Sequence, residues 1–409
     1  MAIGNQSAQL QHPFYLDSDG VNRPTSPDKH PYYAEFAGSG TGVVPIVRTV
    51  NGQQINAKLI CRYLDVKEVL RNPDFSREAA RAADDVDVSG TILGMDGEQH
   101  TRVRAIIKDA FTRPAISRLR ELVESAALNQ LKTMLSLGRQ ADLVEDYATP
   151  FALRVISDML GVPEQDRDSF RAWGRAFLGT ADLTRDQAAE AATAMGGYLA
   201  QQIERRRTNP GNDLMSRVAV AGGDHPLDIK IRLALALIVG GWETSSSSIG
   251  RFVYVLRTRP YSNYDTAWDY LLDHPSDVDA AITELERLYS TTAGDDMPRQ
   301  ALRDVVLPSG ATLRQGEIVI PSHDAANRDA AAFSDPEQMD FSRNPNPHLS
   351  FGYGTHYCIG AHLGGLEVRT AIRLLLRELP GLRLDISPTN VTWAAGHVIT
   401  SPTALPVSW

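Results

Sequence analysis

The chain has 409 residues, enough for one large domain or two to three ordinary ones, and 43% of them are hydrophobic, so a sizeable core can form. A formal net charge of -9 excludes the basic footprint that non-specific nucleic-acid binding needs; two cysteines with no Cys-x-x-Cys spacing exclude a disulfide scaffold or a zinc ribbon. The opening residues carry no basic segment followed by an apolar run, and no stretch approaches the length of a membrane span, so the expectation is a cytoplasmic protein with no membrane partner.

The first 60 residues read as loop, then as short strands at GVVPIVRTV (42–50) and AKLICRYL (57–64). VKEVLRNPDFS (66–76) predicts a short helix stopped by Asn72-Pro73. Residues 78–95 are small, acidic and without period, and read as a loop. From Glu98 to Gly223 apolar residues recur at three- and four-residue spacing, with turn signals at Gly161-Val162-Pro163 and Asn209-Pro210-Gly211. A longer helix is predicted from Leu227 to Arg259, ended by Pro260, and another from Val278 to Tyr289. Strand signals follow at 305–307 and 317–322, then a turn-rich meander at 327–347. The last strong helix runs from Ala361 to a Pro380-Gly381 stop, and the tail carries short strands. There is no internal repeat and no linker of domain-boundary type. The expected class is mainly α with small β-sheets, in a single domain spanning 1–409.

Three stretches carry chemistry. In HLSFGYGTHYCIG (348–360), Cys358 stands just before a helix, where free N–H groups and the positive dipole end favour a thiolate. Gly352, Gly354 and Gly360 leave room for backbone to approach the sulfur. Such a thiolate is a redox nucleophile or a soft metal ligand; alone it is too little for zinc, whereas haem needs only one. Cys61, in an apolar strand pattern, reads as an ordinary buried residue. In IVGGWETSSSS (238–248), adjacent glycines in a helix cost roughly 1 kcal/mol each against alanine. Either something flat and large approaches there, or the Thr244 hydroxyl bonds the Gly240 carbonyl four residues back in a local break. In GEQHTRVRAIIKDAFT (97–112), His100 and Arg104 lie four apart, on one helical face.

Phe351, Gly352, Gly354, His356, Cys358 and Gly360 match, position for position, the haem-binding signature of the cytochrome P-450 family, and the resemblance extends over most of the chain. It implies the family fold, with haem b between the long helix and the cysteine loop, and Cys358 as the iron ligand. It implies that His100, Arg104, Arg299 and His356 hold the haem propionates, and that Glu284, Arg287 and Arg343 form a structural cluster. Gly240, Gly241, Glu243 and Thr244 resemble the oxygen-activation segment, with Glu243 and Thr244 relaying protons. The implied reaction is insertion of one oxygen atom from O2 into a small organic substrate, with oxidative coupling or ring closure as an alternative outcome. A haem-thiolate sensor without turnover is the contrasting class, and retention of Glu243-Thr244 argues against it.

With no flavin or iron–sulfur motif in the chain, electrons from NAD(P)H are expected through a ferredoxin and its reductase, docking near Lys108, Arg113 and Arg369. A monomer of bacterial type, tailoring a secondary metabolite, is the overall expectation. Substrate contacts are expected at Val239, Gly240, Thr292, Asp295, Asp296 and Val398. The chain departs from the family at Trp242, Met339 and Gly364-Gly365, and in about five extra residues near 261–270 to which no role is assigned.

Overall fold

The computed structural model describes residues 27–28, 32–50, 53–84, 88–177, 184–223, 225–290, 297–394 and 399–409. In chain order the helices are α1 (Tyr32–Gly38), α2 (Tyr63–Arg71), α3 (Gly97–Ile107), α4 (Arg113–Ser117), α5 (Arg120–Ser136), α6 (Thr149–Leu160) and α7 (Arg167–Phe177). There follow α8 (Arg185–Thr208), α9 (Leu214–Ala221), α10 (Leu227–Thr258), α11 (Ala267–Asp273), α12 (Val278–Leu288), α13 (His323–Ala326) and α14 (Ala361–Glu378). The strands are β1 (Val43–Val50), β2 (Gln53–Ile60), β3 (Phe75–Ser76), β4 (Gln140–Asp142), β5 (Arg299–Ala301), β6 (Val305–Val306), β7 (Thr312–Leu313), β8 (Ile318–Pro321), β9 (Arg383–Leu384) and β10 (Pro406–Ser408). They form sheets in the orders β1-β2-β8-β5-β3, β4-β10-β9 and β6-β7. The fold is mainly helical with small sheets, as the sequence predicts. No helix among the described residues is long and apolar enough to cross a membrane.

α10 runs through the main core. Its buried residues Leu233, Ala234, Leu237, Ile238, Trp242, Ser245, Ile249, Phe252, Val253 and Leu256 recur at three- and four-residue steps. α6 packs against it because Gly241 has no side chain: a Cβ there would stand 2.7 Å from Ile156 Cγ1. α6 itself stops at Gly161, whose φ of 71° is the left-handed geometry of a helix C-terminus. Reciprocal bonds between Thr184 and Gln187 cap the start of α8.

The sequence reading differs from the structure at the amino-terminal end. α1 lies in what reads as loop. Strand β2 ends at Ile60, and Tyr63 and Leu64 already belong to α2. The reason is tertiary: the Tyr63 N–H donates to the Asp329 carboxylate (2.8 Å), a helix-start partner 266 residues away.

The Glu284–Arg287–Arg343 cluster forms as expected. Glu284 and Arg287 are fully buried and 2.7 Å apart, and Arg343 Nε lies 3.3 Å from Glu284. Arg287 donates to the carbonyls of Asn327 (2.8 Å), Pro336 (2.6 Å) and Gln338 (3.1 Å). Glu284 accepts from the Asp340 N–H (3.0 Å) and Asn346 Nδ2 (2.9 Å). The pair is thus hydrogen-bonded on all sides, the condition for burying it.

The extra residues near 261–270 also gain a role. Tyr261 and Tyr264 bridge a tight turn, and the Tyr261 ring stacks on Phe341 at 4.0 Å between centroids. Its hydroxyl accepts the Phe341 N–H (2.9 Å). Trp268, on α11, is fully buried and donates to the Pro380 carbonyl (3.2 Å). The insertion buttresses the meander and the end of α14.

Candidate active site

The cysteine loop leads into α14. Gly352 and Gly354 have φ of 73° and 72°, which only glycine takes without strain. A Cβ at Gly354 would also lie 2.9 Å from the α2 backbone at Leu70 and Arg71, so the loop closes directly on that helix. Within the loop the N–H groups of Gly352, Tyr357 and Cys358 donate to the carbonyls of Leu349 (2.7 Å), Gly354 (3.1 Å) and Phe351 (2.8 Å). Phe351 therefore contributes through its backbone as well as its partly buried ring.

The Cys358 side chain is open to solvent, whereas Cys61 is buried, as its strand pattern predicts. The helix N-terminus acts on this thiol in the direction expected, against an opposing effect of burial. The sulfur is accessible yet recessed among surrounding atoms, and this desolvation pushes the thiol's pKa up. The N–H groups of Gly360 and Ala361 and the Arg104 cation act in the opposite direction and are outweighed. A coordinating metal deprotonates such a thiol outright.

Around the loop the structure gathers the four predicted carboxylate partners. His100 is buried, its ring 4.3 Å from that of His356. Burial, then the charges of His356 and Arg104, lower its pKa to about 4, and its Nδ1 has no hydrogen-bond partner. Arg104 donates to the Tyr357 carbonyl (2.6 Å). Arg299 is 3% exposed and, among the described residues, reaches the Met297 carbonyl at 3.5 Å. Burial first, and then the neighbouring Arg77, lower its pKa to about 9.

Two members of this cluster escape the sequence reading. Arg77 is buried, pairs with Asp84 (3.1 Å) and donates to the Pro298 carbonyl (2.6 Å). Asp96 immediately precedes α3. It makes no cap bond; it accepts from Ser76 (2.6 Å) and stands 3.7 Å from His356 Nε2. Burial opposes its ionisation, but His356, Ser76 and the N–H groups of Glu78 and Arg77 together hold its carboxyl well below the usual range. The buried Arg299 guanidinium, with no carboxylate paired to it among the described residues, and the unpartnered His100 nitrogen suit carboxylate acceptors, and the accessible thiol suits a metal. The residues fit a haem with its two propionates.

On α10, Thr244 Oγ1 donates to the Gly240 carbonyl at 2.9 Å, and the helix continues through it without a break. The two glycines have different reasons. Gly241 admits α6. Gly240 is exposed in mid-helix, and a Cβ there would meet nothing within 4 Å, as the approach of a flat ligand requires. Val239, Glu243 and Thr244 are partly exposed beside it. Thr292, Asp295, Asp296 and Val398 lie outside the described residues.

Among the departures, Trp242 is buried with Nε1 unpartnered, and Met339 packs against the core. Gly365 opens a notch that Arg369 fills: a Cβ there would be 2.5 Å from Arg369 Nη1. Arg369 is held by Thr283 (2.9 Å), Glu286 (3.6 Å) and Asp279 (3.8 Å), so it is not the open docking cation the sequence suggests. Lys108 and Arg113 are exposed. A polar cleft of about 760 Å³ opens at the carboxyl end of α10, between Arg257, Asp265 and Ile386, and contains none of these residues.

Comparison with known proteins agrees with this geometry. The family described as Cytochrome P-450 matches residues 277–384. The mycinamicin IV hydroxylase/epoxidase of Micromonospora griseorubida is 38% identical, over 90% of this chain and 93% of its own. The nocardicin C N-oxygenase of Nocardia uniformis subsp. tsuyamanensis is 36% identical, over 94% and 97%. A single-residue variant of the mixed-function P-450 MycG, solved with mycinamicin V, superposes with a TM-score of 0.87 at 34% identity, covering 98% of this chain and all of that one. The chain belongs to the cytochrome P-450 family. It is a haem-dependent monooxygenase that takes its electrons from a redox partner and oxidises a small molecule.

Proposed function

We propose that this monooxygenase tailors a bacterial secondary metabolite, with Cys358 as the residue whose sulfur would ligate the iron of haem b. The observation that carries the site is the glycine-framed, accessible Cys358 thiol beside the cluster of His100, Arg104, Arg299 and His356. Bound haem supplies dioxygen activation and the oxidising power. The protein's side chains do the rest. His100 Nδ1, Arg104, Arg299 and His356 would hold the propionates. Gly240 and Gly360 keep backbone close and side chains out. Phe351 fixes the loop through its carbonyl.

Thr244 Oγ1, now bonded to the Gly240 carbonyl, turns to hand on a proton that the Glu243 carboxyl replenishes. Val239 and Gly240 form the helix wall of the pocket, and Thr292, Asp295, Asp296 and Val398 are assigned to its remaining sides. The relatives named for mycinamicin IV and nocardicin C support the substrate class. Electrons come from NAD(P)H through a ferredoxin reductase and a ferredoxin, with Lys108 and Arg113 on the docking face. The chain acts as a cytoplasmic monomer, one haem-binding unit over 1–409.

Two variants test this. Cys358→Ser is expected to lose the thiolate-type spectrum of the reduced carbon-monoxide complex. Thr244→Ala is expected to keep haem and the spin-state response to substrate, while product per NAD(P)H falls on the order of tenfold or more. An unaltered spectrum in the first variant rejects the ligand assignment; full coupling in the second rejects the relay.

A further inference from the structure

α10 lies in the core around most of its circumference, yet one narrow face of its first half stays open. Arg232 and Gly240 are exposed, and Leu235, Ala236, Val239 and Glu243 are partly exposed, while Leu233, Ala234, Leu237, Ile238 and Trp242 among them are buried. Positions 232, 236, 239 and 243 recur at four- and three-residue steps, so they share one side of the helix. The open face includes Gly240, where a Cβ would meet nothing within 4 Å. From there it reaches Arg232, about 12 Å nearer the start of the helix.

The loop at 88–95 meets the helix at that far end. Arg232 Nη1 donates to the Ser89 carbonyl (3.0 Å), and a Cβ at Gly90, where φ is 70°, would stand 3.4 Å from Arg232 Nε. The loop is tightly wound: the Val88 carbonyl accepts from the Thr91 N–H (3.0 Å) and from Thr91 Oγ1 (2.7 Å), and Gly94 leaves no room for a Cβ beside that oxygen. Its other end belongs to the cysteine side of the molecule, where Arg77 Nε donates to the Leu93 carbonyl (3.2 Å) and Met95 is buried. The loop thus bridges from the cluster around His356 to Arg232.

A guanidinium carries five N–H donors in one plane, and the Ser89 bond engages only Nη1. In a chain of net charge -9, no carboxylate among the described residues pairs with Arg232. The fork is held in place without being neutralised, and its geometry matches a carboxylate. Between it and Gly240 the open face is apolar, made of Leu235, Ala236 and Val239. We propose that Arg232 is a specificity-determining residue: it takes the carboxylate of an elongated substrate whose apolar body lies along Leu235, Ala236 and Val239. The inference rests on the reading of Val239 and Gly240 as the helix wall of the pocket. It adds the substrate class, an acid oxidised about 12 Å from its carboxylate.

The test uses the haem-loaded enzyme and its Arg232→Gln and Arg232→Lys variants, substitutions at an exposed position that the fold tolerates. Each is titrated by absorbance with imidazole, which needs only the iron, with ω-imidazolyl alkanoic acids of graded chain length, and with the matching ω-imidazolyl alcohols. At the chain length that spans the face, the parent is expected to bind the acid about tenfold more tightly than the alcohol, the size of one hydrogen bond between charged groups. Arg232→Gln is expected to abolish that preference and Arg232→Lys to keep part of it, with imidazole affinity at the parental value in both. A parent that binds acids and alcohols alike, or a preference that survives in Arg232→Gln, overturns the proposal. Equal weakening of acid and alcohol in the variants also overturns it, because Arg232 then acts only by holding the loop at Ser89. A parent whose absorbance does not respond to imidazole overturns instead the haem-site reading beneath the proposal.

Discussion

On α14, Glu367 is fully buried, and the one polar group that acts on its carboxyl to favour ionisation is a hydroxyl of the facing helix. Burial raises its pKa from 4.5 to about 8; the Ser245 hydroxyl, near Gly364 on the facing helix, eases the shift only in part. The folded protein therefore holds a proton there that the unfolded chain releases above pH 4.5. Stability from this group is undiminished below that pH and is lost as pH rises toward 8, by about 1.4 kcal/mol per pH unit. Glu367→Gln removes the titration. Its thermal midpoint is expected to gain on the parent's between about pH 5 and 8 and to level off above, as differential scanning fluorimetry would record. A gap that does not change with pH would show that Glu367 titrates normally. Glu367 also shows what the sequence hides at this scale. A glutamate in a helix reads as a solvated face, and only the packing of α10 on α14 makes it a buried acid. Arg77 and Asp96 are missed for the same reason, since their partners come from elsewhere in the chain.

At the scale of elements, α10, α12 and α14 are legible because long apolar periodicity coincides with clear stops: Pro260 and the Pro380-Gly381 pair end two of them. α1 and the start of α2 are not, because tertiary contacts rather than local propensity fix them. The cysteine loop is legible because its glycines are demanded by geometry. This gives two graded substitutions. Gly241→Ala places a methyl 2.7 Å from Cγ1 of the Ile156 side chain and meets no backbone, and is expected to cost about 1–3 kcal/mol. Gly354→Ala meets unyielding α2 backbone at 2.9 Å with φ at 72°, and should cost more. Thermal melts should rank parent above Gly241→Ala above Gly354→Ala, with haem content falling most in the last. The reverse order would mean that the α6–α10 contact is the less forgiving of the two.

For the whole molecule, the buried Glu284–Arg287 pair fastens α12 to carbonyls 40 to 51 residues further along the chain. Removing one charge strands the other. Glu284→Ala is expected to cost about 3–5 kcal/mol and to yield little haem-loaded protein. A variant that keeps parental haem content and thermal midpoint would show the cluster to be dispensable.

The parallel pairing of β2 with β8, Lys58 with Val319 through Ile60 with Pro321, has a bearing on synthesis. While the ribosome is still making the middle of the chain, the β2 edge of the β1–β2 hairpin has no neighbour. That edge stays available to other nascent chains until residues 318–321 emerge. Slow translation between these points should therefore lower the soluble yield, and chaperones that shield the early hairpin should restore it.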